Sequence, residues 1–404
     1  MKKYDEYKDS GVAWIGKVPK HWEVLRGKYA LSILSGFPFD SQKFEFEDNG
    51  VYMPLIRIRD INCSSTEVYY SGSYPIESVV KTGEVLIGMD GDFNISKWKG
   101  TNALLNQRVC KLREDSSMNT HYAFYMLSSP LKAINSVTYA TTVKHLSVYD
   151  IYNVFIPVPP ISEQTAIATY LDTHCAKIDN LISIQQKRIA LLQELKQSVI
   201  THAVTKGLNP NVEMKPSGVE WIGDVPKHWE VMPFKRAMTI YNGSDYKHIQ
   251  VDVAGYPVIG SGGEFARASQ YVYDGEVVLL GRKGTIDKPM YYNGKFWTVD
   301  TMFYAIPKKH VNCKYLYYQA LIIPFDRYAT STALPSMTQT DLNFNIIGLP
   351  PTVEQAAIAS YLDHKCATID TSISNAQHQI ELLQEYKQSL ITEVVTGKRK
   401  VTDN

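Results

Sequence analysis

The sequence predicts an α+β protein in which two similar mixed α/β domains are separated by two long antiparallel helices that form a coiled coil. Three observations in the 404-residue chain support this fold class. A short tryptophan-rich segment occurs twice, a longer segment that begins with two prolines also occurs twice, and an amphipathic pattern follows each copy of the longer segment. A chain of this length can form two or three globular domains with hydrophobic cores.

The tryptophan-rich segment reads WIGKVPKHWEV at residues 14–24 and WIGDVPKHWEV at residues 221–231, so that only Lys17 is replaced, by Asp224. Large apolar side chains on either side of a proline are typical of a turn anchored in a core. We therefore expect a structural role for both copies. The residues expected in the core are Trp14, His21, Trp22, Trp221, His228 and Trp229.

The longer segment reads PPISEQTAIATYLDTHCAKID at residues 159–179 and PPTVEQAAIASYLDHKCATID at residues 350–370. The offset of 191 continues through residues 191–205 and 382–396. The chain is therefore two tandem halves with similar ends and dissimilar middle parts. These repeats divide it into residues 1–158, 159–207, 208–349 and 350–404.

Each copy of the longer segment is predicted to open a long amphipathic helix. Pro159 and Pro160 block a helix upstream, Thr352 and Gln355 fit a capping box, and both helices end near a glycine. Because neither apolar stripe can face water, we expect the helices to pack on each other; packing of each on its own domain is the alternative. The helix residues expected to contact the other helix or a partner are Glu163, Gln164, Ile178, Leu192, Leu195, Glu354, Gln355, Ile369, Leu383 and Leu390.

The parts between the repeats read as mixed α/β domains. Short apolar runs predict strands, and longer apolar segments predict helices, in matching places of the two halves. The predicted strands are residues 52–61, 83–89, 256–263 and 275–281, and the predicted helices are residues 120–130 and 314–324. The shared order of these elements indicates one fold with two different surfaces.

The composition excludes several classes of protein. Lys plus Arg number 42 against 41 Asp plus Glu, so the net charge indicates neither an acidic nor a basic partner. No run of 18 apolar residues predicts a membrane-spanning helix, and the first residues lack the apolar stretch of a signal peptide. Five cysteines without a CxxC pair fit free thiols in a reducing cytoplasm.

The common enzyme signatures are absent from the sequence. It contains no GxxxxGK[ST] phosphate loop, no HExxH, no GxSxG and no [ND]PP[YF] motif. Asp90 and Asp92 could share a divalent ion, but Arg282 and Lys283 stand at the positions of Met89 and Asp90 in the second half. We therefore expect no catalytic residue, metal site or bound cofactor in this chain; the aspartates either belong to a surface that contacts different partners in the two halves or form a tight acidic turn.

Several polar side chains have the chemistry of nucleic-acid contacts. Arg57 and Arg59 lie two apart on a predicted strand and would share a face, unpaired, which favours an anionic partner. Arginine and asparagine pair with guanine and adenine edges, and hydroxyls and basic groups contact phosphates. The candidates for DNA contact are Arg57, Arg59, Asn106, Arg108, Thr141, Thr142, Lys144, His145, Arg267, Arg282, Lys283, Thr330, Ser331 and Thr332.

The middle parts are not strongly basic. Residues 25–158 carry 13 basic and 13 acidic side chains, and residues 232–349 carry 12 and 9. An isolated DNA-binding domain is usually much more basic. If these domains bind DNA, partner subunits would have to neutralise many of the phosphates.

Together, the motifs W-I-G-x-V-P-x-H-W, P-P-x-x-E-Q-x-x-I-A-x-Y-L-D and L-L-Q-E-x-K-Q-S resemble those of the specificity subunits of type I restriction-modification systems. The resemblance covers the whole chain through its repeated frame, whereas the middle parts match in layout alone. It implies that each middle part is a target recognition domain for one half of a bipartite asymmetric DNA sequence. The helices would then form a spacer on which partner subunits dock.

The resemblance also implies where the chemistry takes place. Two modification subunits with S-adenosylmethionine would methylate an adenine in each half-site, and two restriction subunits with ATP and magnesium would cleave unmodified DNA. The chain itself would be non-catalytic. Two alternatives remain at this point: a nuclease or methyltransferase that arose by duplication, and an interaction scaffold that does not bind DNA.

Overall fold

The computed structural model describes residues 3–137, 144–327 and 335–401, and the chain divides into two compact units. Unit 1 comprises Met1–Ile184 and Gln379–Asn404, and unit 2 comprises Gln185–His378. Each unit includes part of both long helices. The units therefore do not coincide with the two tandem halves of the sequence.

The described part of unit 1 is built from short strands and two helices, together with parts of the long ones. Its strands are β1 (Tyr7–Asp9), β2 (Lys17–Pro19), β3 (Glu23–Arg26), β4 (Ser32–Ser35), β5 (Phe44–Glu45), β6 (Met53–Ile56), β7 (Tyr69–Tyr70), β8 (Val79–Val80), β9 (Val85–Gly88), β10 (Ile95–Lys97), β11 (Ala103–Leu105), β12 (Val109–Arg113) and β13 (Phe155–Val158). Its helices are α1 (Thr120–Val137), α2 (Val148–Asn153) and the first part of α3 (Ile161–Lys206).

The strands of unit 1 form two main sheets. One has the order β10-β9-β12-β4 and is antiparallel, and the other has the order β5-β7-β6-β11-β8, in which β6 and β11 are parallel. The pair β13-β3 brings the start of α3 beside the tryptophan-rich segment. Apolar side chains of α1, such as Tyr122 and Met126, share one core with Ile167 and Leu171 of α3.

Unit 2 repeats this plan with longer strands. Its strands are β14 (Met214–Pro216), β15 (Asp224–Pro226), β16 (Glu230–Pro233), β17 (Met238–Asn242), β18 (Gln250–Val251), β19 (Tyr256–Gly260), β20 (Gly263–Ala268), β21 (Tyr273–Gly281), β22 (Met290–Thr298), β23 (Met302–Pro307) and β24 (Ile346–Leu349). Its helices are α4 (Phe234–Ala237), α5 (Cys313–Ala320), α6 (Gln339–Phe344) and parts of α3 and α7 (Thr352–Val395).

A single seven-stranded sheet in unit 2, ordered β17-β23-β21-β22-β19-β20-β18, corresponds to both main sheets of unit 1. Its central strand β22 is nine residues long and pairs with β21 on one side and in parallel with β19 on the other. In unit 1 two separate strands make these pairings, because residues 98–102 interrupt the extended chain. Strand β10 pairs with β9, and β11 pairs in parallel with β6.

The α+β class with two long helices is confirmed, but some predicted elements have other bounds. The strand predicted at residues 52–61 ends at Ile56, because a short 3₁₀ turn follows. The helix predicted to end at Pro130 continues to Val137. None of the helices in the described residues has the length and apolar character needed to cross a membrane.

Both long helices begin and end in the same way. The carbonyl oxygens of Pro160 and Pro351 accept the first helical N–H groups, and Gly207 and Gly397 terminate the helices with positive φ angles of 76° and 71°. The predicted capping box is wrong. The Thr352 hydroxyl instead donates to the carbonyl oxygen of His310, at 3.2 Å.

Within each unit the two helix segments run antiparallel. In unit 1, Glu163 near the start of α3 and Gly397 after α7 both contact Trp22, whereas Asp179 binds Lys387 at 2.6 Å. In unit 2 the equivalent contacts join Glu354 and Gly207 to Trp229, and Lys196 to Asp370 at 2.7 Å. Each segment also packs on the domain of its own unit, so both packing modes considered from the sequence occur.

The buried stripe of the helices is shorter than the sequence pattern predicts. Ile178, Ile369 and Leu390 are buried, and Leu192 and Leu383 are half-buried. Leu195, which was predicted to lie in the seam, is 50% exposed. Several exposed apolar side chains, such as Leu181, Ile184 and Leu191, lie in the middle part of α3, and two others, Ile161 and Val353, lie in the first turns of the helices.

Candidate functional site: a duplicated frame and its variable strand ends

The two repeated motifs meet at one carboxylate in each unit. In unit 1 the carboxylate of Glu163 accepts hydrogen bonds from Trp22 Nε1 and the Tyr4 hydroxyl, both at 3.0 Å, and His21 Nε2 lies 2.6 Å away. The tryptophan-rich segment therefore fixes the start of the long helix. This explains why both motifs are duplicated together, since each is the binding partner of the other.

Unit 2 repeats this centre around Glu354. Trp229 Nε1 donates to its carboxylate at 3.1 Å, and His228 Nε2 lies 2.8 Å away. Trp22 and Trp229 are fully buried, as predicted. The prediction for the histidines is wrong, because both rings are nearly half exposed; Trp14 and Trp221 are only half-buried.

The glutamine that follows each of these glutamates is buried and bonded within its own unit. Gln164 Oε1 accepts from the Asn119 backbone N–H, and Gln355 Oε1 accepts from that of Asn312, both at 2.8 Å. Their amide groups donate to backbone carbonyl oxygens. The two glutamines therefore attach the helix start to the loop before α1 or α5, and they are not exposed to a partner.

A second carboxylate, about two and a half turns further along the helix, also attaches the long helix to the domain. In unit 1, Asp172 accepts from Lys97 at 2.5 Å and from the Tyr125 hydroxyl at 2.6 Å, and His121 Nδ1 lies 3.3 Å away. Burial alone would raise the pKa of Asp172, but the hydrogen bonds from Lys97, Tyr125 and His121 outweigh it and leave the pKa lowered.

The equivalent group in unit 2 is Asp363, which binds Lys314 at 2.5 Å and the Tyr318 hydroxyl at 2.8 Å. Burial, together with the nearby carboxylate, raises the pKa of Tyr125 and of Tyr318, so both hydroxyls stay protonated and donate. Sequence analysis missed both aspartates. Their signal was the duplicated YLD within the longer repeat.

At the opposite end of the domain, a turn after β9 and a segment before α2 come together. Asp90 and His145 form an antiparallel β-bridge, and His145 Nδ1 lies 2.6 Å from Asp90 Oδ1. Arg108, in the turn between β11 and β12, places its Nε 3.6 Å from Asp90 Oδ2. Asp90 is 18% exposed, whereas the side chains of His145 and Arg108 are about 60% exposed.

The same backbone arrangement recurs in unit 2 with other side chains. In unit 1 three backbone hydrogen bonds hold this end of the domain: Met89 N–H to Arg108 O, Gly91 N–H to Lys144 O, and Leu146 N–H to Met89 O. In unit 2 the three equivalent bonds are Arg282 N–H to Thr301 O, Gly284 N–H to Pro335 O, and Met337 N–H to Arg282 O. Lys283 forms the bridge with Ser336. Lys283, Ser336 and Thr301 therefore replace Asp90, His145 and Arg108.

The first pair of predicted DNA-contact residues lies in a different structure from the one expected. Arg57 and Arg59 are not on a strand: Arg57 precedes the 3₁₀ turn at Ile58–Asp60, which contains Arg59. Arg57 binds Asp60 and Glu67 and is only 21% exposed, whereas Arg59 is 68% exposed. The prediction that both arginines are unpaired on one strand face is wrong, because Glu67 lies beside them.

Other candidates are held by their own unit. The Lys144 ammonium group donates to the carbonyl oxygen of Asn135 at 2.5 Å, and Arg267 binds the Gly255 carbonyl oxygen and Glu264. The Asn106 side chain accepts from the Gln107 backbone N–H at 2.7 Å, and Arg282 donates to the Asp300 carbonyl oxygen at 3.2 Å. Five candidates lie outside the described residues: Thr141, Thr142, Thr330, Ser331 and Thr332.

The described residues show no arrangement suited to a metal ion. Residues 3–137, 144–327 and 335–401 contain no group of three or more His, Cys, Asp or Glu side chains that could hold a metal. Asp90 is engaged by His145, as described above. Burial raises the pKa of Cys110 and of Cys313 to about 12, so these two thiols are protonated at neutral pH.

Comparison with known proteins gives a consistent result. A family model described as the type I restriction modification DNA specificity domain matches residues 19–194 and 226–382. The chain is 40% identical over 175 residues to the EcoBI specificity subunit of Escherichia coli, a match that covers 43% of this chain and 36% of that protein. The chain thus spans about a third of the EcoBI subunit. It is 24% identical over 424 residues to the MjaVIII specificity subunit of Methanocaldococcus jannaschii, which covers 95% of this chain and 94% of that protein.

Solved structures share the fold. One solved structure concerns the complex assembly and conformational transition of the type I restriction-modification system. A chain of that structure superposes on this protein with a TM-score of 0.72 at 17% identity, and the match covers 94% of this chain and 98% of that one. The HsdS subunit from Thermoanaerobacter tengcongensis gives 0.51 at 16% identity, covering 95% and 98%. The protein described here belongs to the family of type I restriction-modification DNA specificity subunits.

Proposed function

We propose that each unit reads one half of a bipartite, asymmetric DNA sequence and that the chain itself catalyses no reaction. The observation that carries this proposal is the pair of strand ends built on one backbone scaffold. Asp90, His145 and Arg108 stand in unit 1 where Lys283, Ser336 and Thr301 stand in unit 2. Two frames that are alike and two surfaces that differ in charge are what the recognition of two different half-sites requires.

We further propose that two modification subunits dock on the chain, one on each unit. Exposed apolar side chains recur at equivalent positions of the helices: Leu191 and Leu195 in unit 2, and Leu382 and Tyr386 in unit 1, each between 50% and 65% exposed. Exposed apolar residues on a helix are typical of protein contact sites. In unit 1 they lie close in sequence to Lys387, which lines a cleft of about 930 Å³ with Tyr125 and Ile182.

The chemistry of the complex belongs to these partners. The modification subunits bind S-adenosylmethionine and methylate an adenine in each half-site, which they reach by flipping the base. Two restriction subunits use ATP and magnesium to cleave unmodified DNA. The chain supplies neither cofactor site, and its near-neutral charge leaves much of the phosphate neutralisation to the partners.

The test is the methylation pattern of the full chain assembled with the modification subunit of its own system. We expect methylation of adenines in a sequence with two unlike half-sites and a fixed gap, and binding that weakens with salt. The chain alone should transfer no methyl group and cut no DNA. Methyl transfer by the chain alone would favour a duplicated enzyme, and a complex without salt-dependent DNA binding would favour a scaffold.

The long helices would set the gap between the half-sites. Inserting four residues after Gln193 adds roughly 6 Å of helix, close to two base pairs at ~3.4 Å each, and keeps most of the apolar pattern in phase. The gap should lengthen by one or two base pairs while both half-sites stay the same. An active complex in which the gap is unchanged, or in which the recognised bases change, would contradict a spacer role.

A further inference from the structure

We propose that Asp90 orients Arg108 and His145 to read base edges in the first half-site, with Arg108 contacting a guanine, and that Lys283 is the corresponding reading side chain of unit 2. This inference rests on the proposed function and assigns the reading positions within it. Arg108, His145 and Lys283 had appeared only among many candidates, and Asp90 and Ser336 had not appeared among them.

The shared scaffold shows that these side chains are not needed for the fold. The backbone hydrogen bonds around Asp90 and around Lys283 join equivalent atoms in the two units. An aspartate in one unit and a lysine in the other form the same β-bridge, with His145 and Ser336 as their partners. A position that accepts either charge without a change of backbone is free to be chosen for what it contacts outside the chain.

The geometry in unit 1 is that of an oriented donor pair. Asp90 is the shielded member, and it lies 2.6 Å from His145 Nδ1 and 3.6 Å from Arg108 Nε. Both side chains are about 60% exposed, so the two terminal nitrogens of Arg108 and Nε2 of His145 remain available to a partner. A guanidinium presents such a pair of donors to O6 and N7 of guanine, and a carboxylate that fixes its orientation reduces the entropy lost on binding.

Unit 2 offers a different set of groups from the same place. The lysine at the end of β21 is exposed, and the turn before β23 carries Asp300 and Thr301 where unit 1 has Gln107 and Arg108. In unit 1 the carboxylate (Asp90) follows β9 and the cation (Arg108) precedes β12, whereas in unit 2 the cation (Lys283) follows β21 and the carboxylate (Asp300) precedes β23. Lys283 can donate to guanine acceptors, but it lacks the paired donors of an arginine, so the two units cannot prefer the same half-site.

The position of this end of the domain leaves it free of the long helix. Strand β10 starts just after the Asp90 turn and ends at Lys97, which binds Asp172 of α3. Lys97 pairs with Val85 at the start of β9, and β9 runs from there to Gly88, two residues before Asp90, which corresponds to roughly 10 Å of strand. A partner docked on the helix would therefore leave Asp90, Arg108 and His145 accessible to DNA.

The experiment uses the full chain with its modification subunit and a DNA library in which both half-sites are randomised. Arg108→Ala should reduce the preference for guanine at one position of the first half-site by roughly 5- to 150-fold. Asp90→Asn should weaken the same position less. Arg108→Gln should shift the preferred base from guanine towards adenine, since glutamine pairs with adenine. Lys283→Ala should change one position of the second half-site only.

Arg113→Ala is the matched control, because Arg113 is exposed and lies at the far end of β12 from Arg108. It should leave both half-sites unchanged. If wild type selects a bipartite sequence but Arg108→Gln and Asp90→Asn select the same bases as wild type, the assignment of the reading positions is wrong and the proposed function stands. If wild type selects no sequence at all, the proposed function fails. Should Arg108→Ala fail to fold, Arg108→Gln and Lys283→Ala decide.

Discussion

In unit 1 the carboxylate of Glu163 accepts a hydrogen bond from Trp22, and in unit 2 the carboxylate of Glu354 accepts the same bond from Trp229. At the far strand ends the side chains differ, because Asp90 of unit 1 is replaced by Lys283 in unit 2. The two units are therefore alike where the domain meets its helix and unlike where the sheet ends. The contacts of Glu163 and Glu354 are made by the same kinds of group in both copies, although the lysine that binds Asp172 comes from β10 and the one that binds Asp363 comes from α5. Positions that face outwards need not keep the same groups, so they can diverge.

The sheets show an intermediate degree of difference. Residues 98–102 split one long strand of unit 2 into β10 and β11 of unit 1, so one seven-stranded sheet becomes two smaller ones. Trp98 within this stretch is buried among strand residues such as Leu86 and Leu105, and its indole N–H donates to the Thr101 carbonyl oxygen at 2.7 Å. The interruption leaves the parallel pairing of β6 with β11, which matches that of β19 with β22, in place.

Replacing the central tryptophans should give the largest effects and tests whether the frames are equivalent. Trp22→Ala and Trp229→Ala each remove a fully buried indole and one hydrogen bond to a glutamate. Each should cost about 3–5 kcal/mol of unfolding free energy. The cost can be measured by urea unfolding, with hydrogen exchange showing which unit loses protection.

Trp14→Ala is the control for this pair, because Trp14 is only half-buried and should cost markedly less. A Trp22→Ala variant that loses protection while Trp229→Ala keeps wild-type stability would show that the two frames are not equivalent.

The buried tyrosines Tyr122 and Tyr315 should give the next largest effect, of similar size in the two units. The Tyr122 hydroxyl donates to the Pro157 carbonyl oxygen at 2.8 Å, and that of Tyr315 donates to the Gly348 carbonyl oxygen at 2.6 Å and also accepts from Gln319 Nε2 at 2.7 Å. Tyr122→Phe and Tyr315→Phe should each cost about 1 kcal/mol, because Gln319 Nε2 also donates to the carbonyl oxygens of Val204 and Gly348 and stays bonded without the hydroxyl.

Differential scanning calorimetry can compare these tyrosine variants with wild type. Burial raises the pKa of both hydroxyls, so neither is ionised near pH 7 and the comparison needs no pH correction. A markedly larger cost for Tyr315→Phe would show that the carbonyl oxygens of Val204 and Gly348 do not satisfy the Gln319 amide once the hydroxyl is removed.

The parts of this structure that the sequence predicted are those with a local or repeated signal. The long helices follow from proline starts, glycine ends and an apolar pattern, and Trp22 was expected to be buried because of its size. The pairing of Trp22 with Glu163 joins residues 141 apart in sequence. No local pattern encodes such a contact, although the exact duplication of both motifs could have suggested that they are partners.

The surroundings of the charged surface residues were predicted less well, because their partners also lie outside the local sequence pattern. Arg57 was expected to be unpaired, because Glu67 comes near it only through the 3₁₀ turn that replaces the predicted strand. For Asp90 a partner-contacting surface and a tight acidic turn both stayed open, since its partner His145 lies 55 residues away. Charge pairing between distant segments depends on the tertiary fold, and residue type alone does not report it.

Asp172 allows a smaller, pH-dependent test of unit 1. Its pKa is lowered in the folded protein, so it stabilises the fold above the unfolded value of about 3.9, and this stabilisation is lost as the pH falls through the lower folded pKa. Asp172→Asn should therefore lower the urea midpoint at pH 7, and the difference from wild type should shrink below about pH 4. The effect will be modest, because Asp172 is 39% exposed.

Lys132→Ala serves as the control for this pH dependence, since Lys132 is exposed on α1 and does not bind Asp172. A difference between Asp172→Asn and wild type that grows as the pH falls from 7 to 4 would reverse the sign and contradict the argument.

The smallest effects are expected from the ion pairs between the helix segments, and they give the strictest comparison of the two units. Asp179 binds Lys387 in unit 1 and Lys196 binds Asp370 in unit 2, at 2.6 and 2.7 Å and with similar exposure. Because partly exposed pairs gain little, a double-mutant cycle with alanine at both partners should give a coupling of about 0.2–1 kcal/mol in each unit. The two couplings should agree and fall together as salt is raised. A coupling above 2 kcal/mol in one unit alone would show that one of these pairs is shielded from solvent, and the helix frames would then differ where their sequences are most alike.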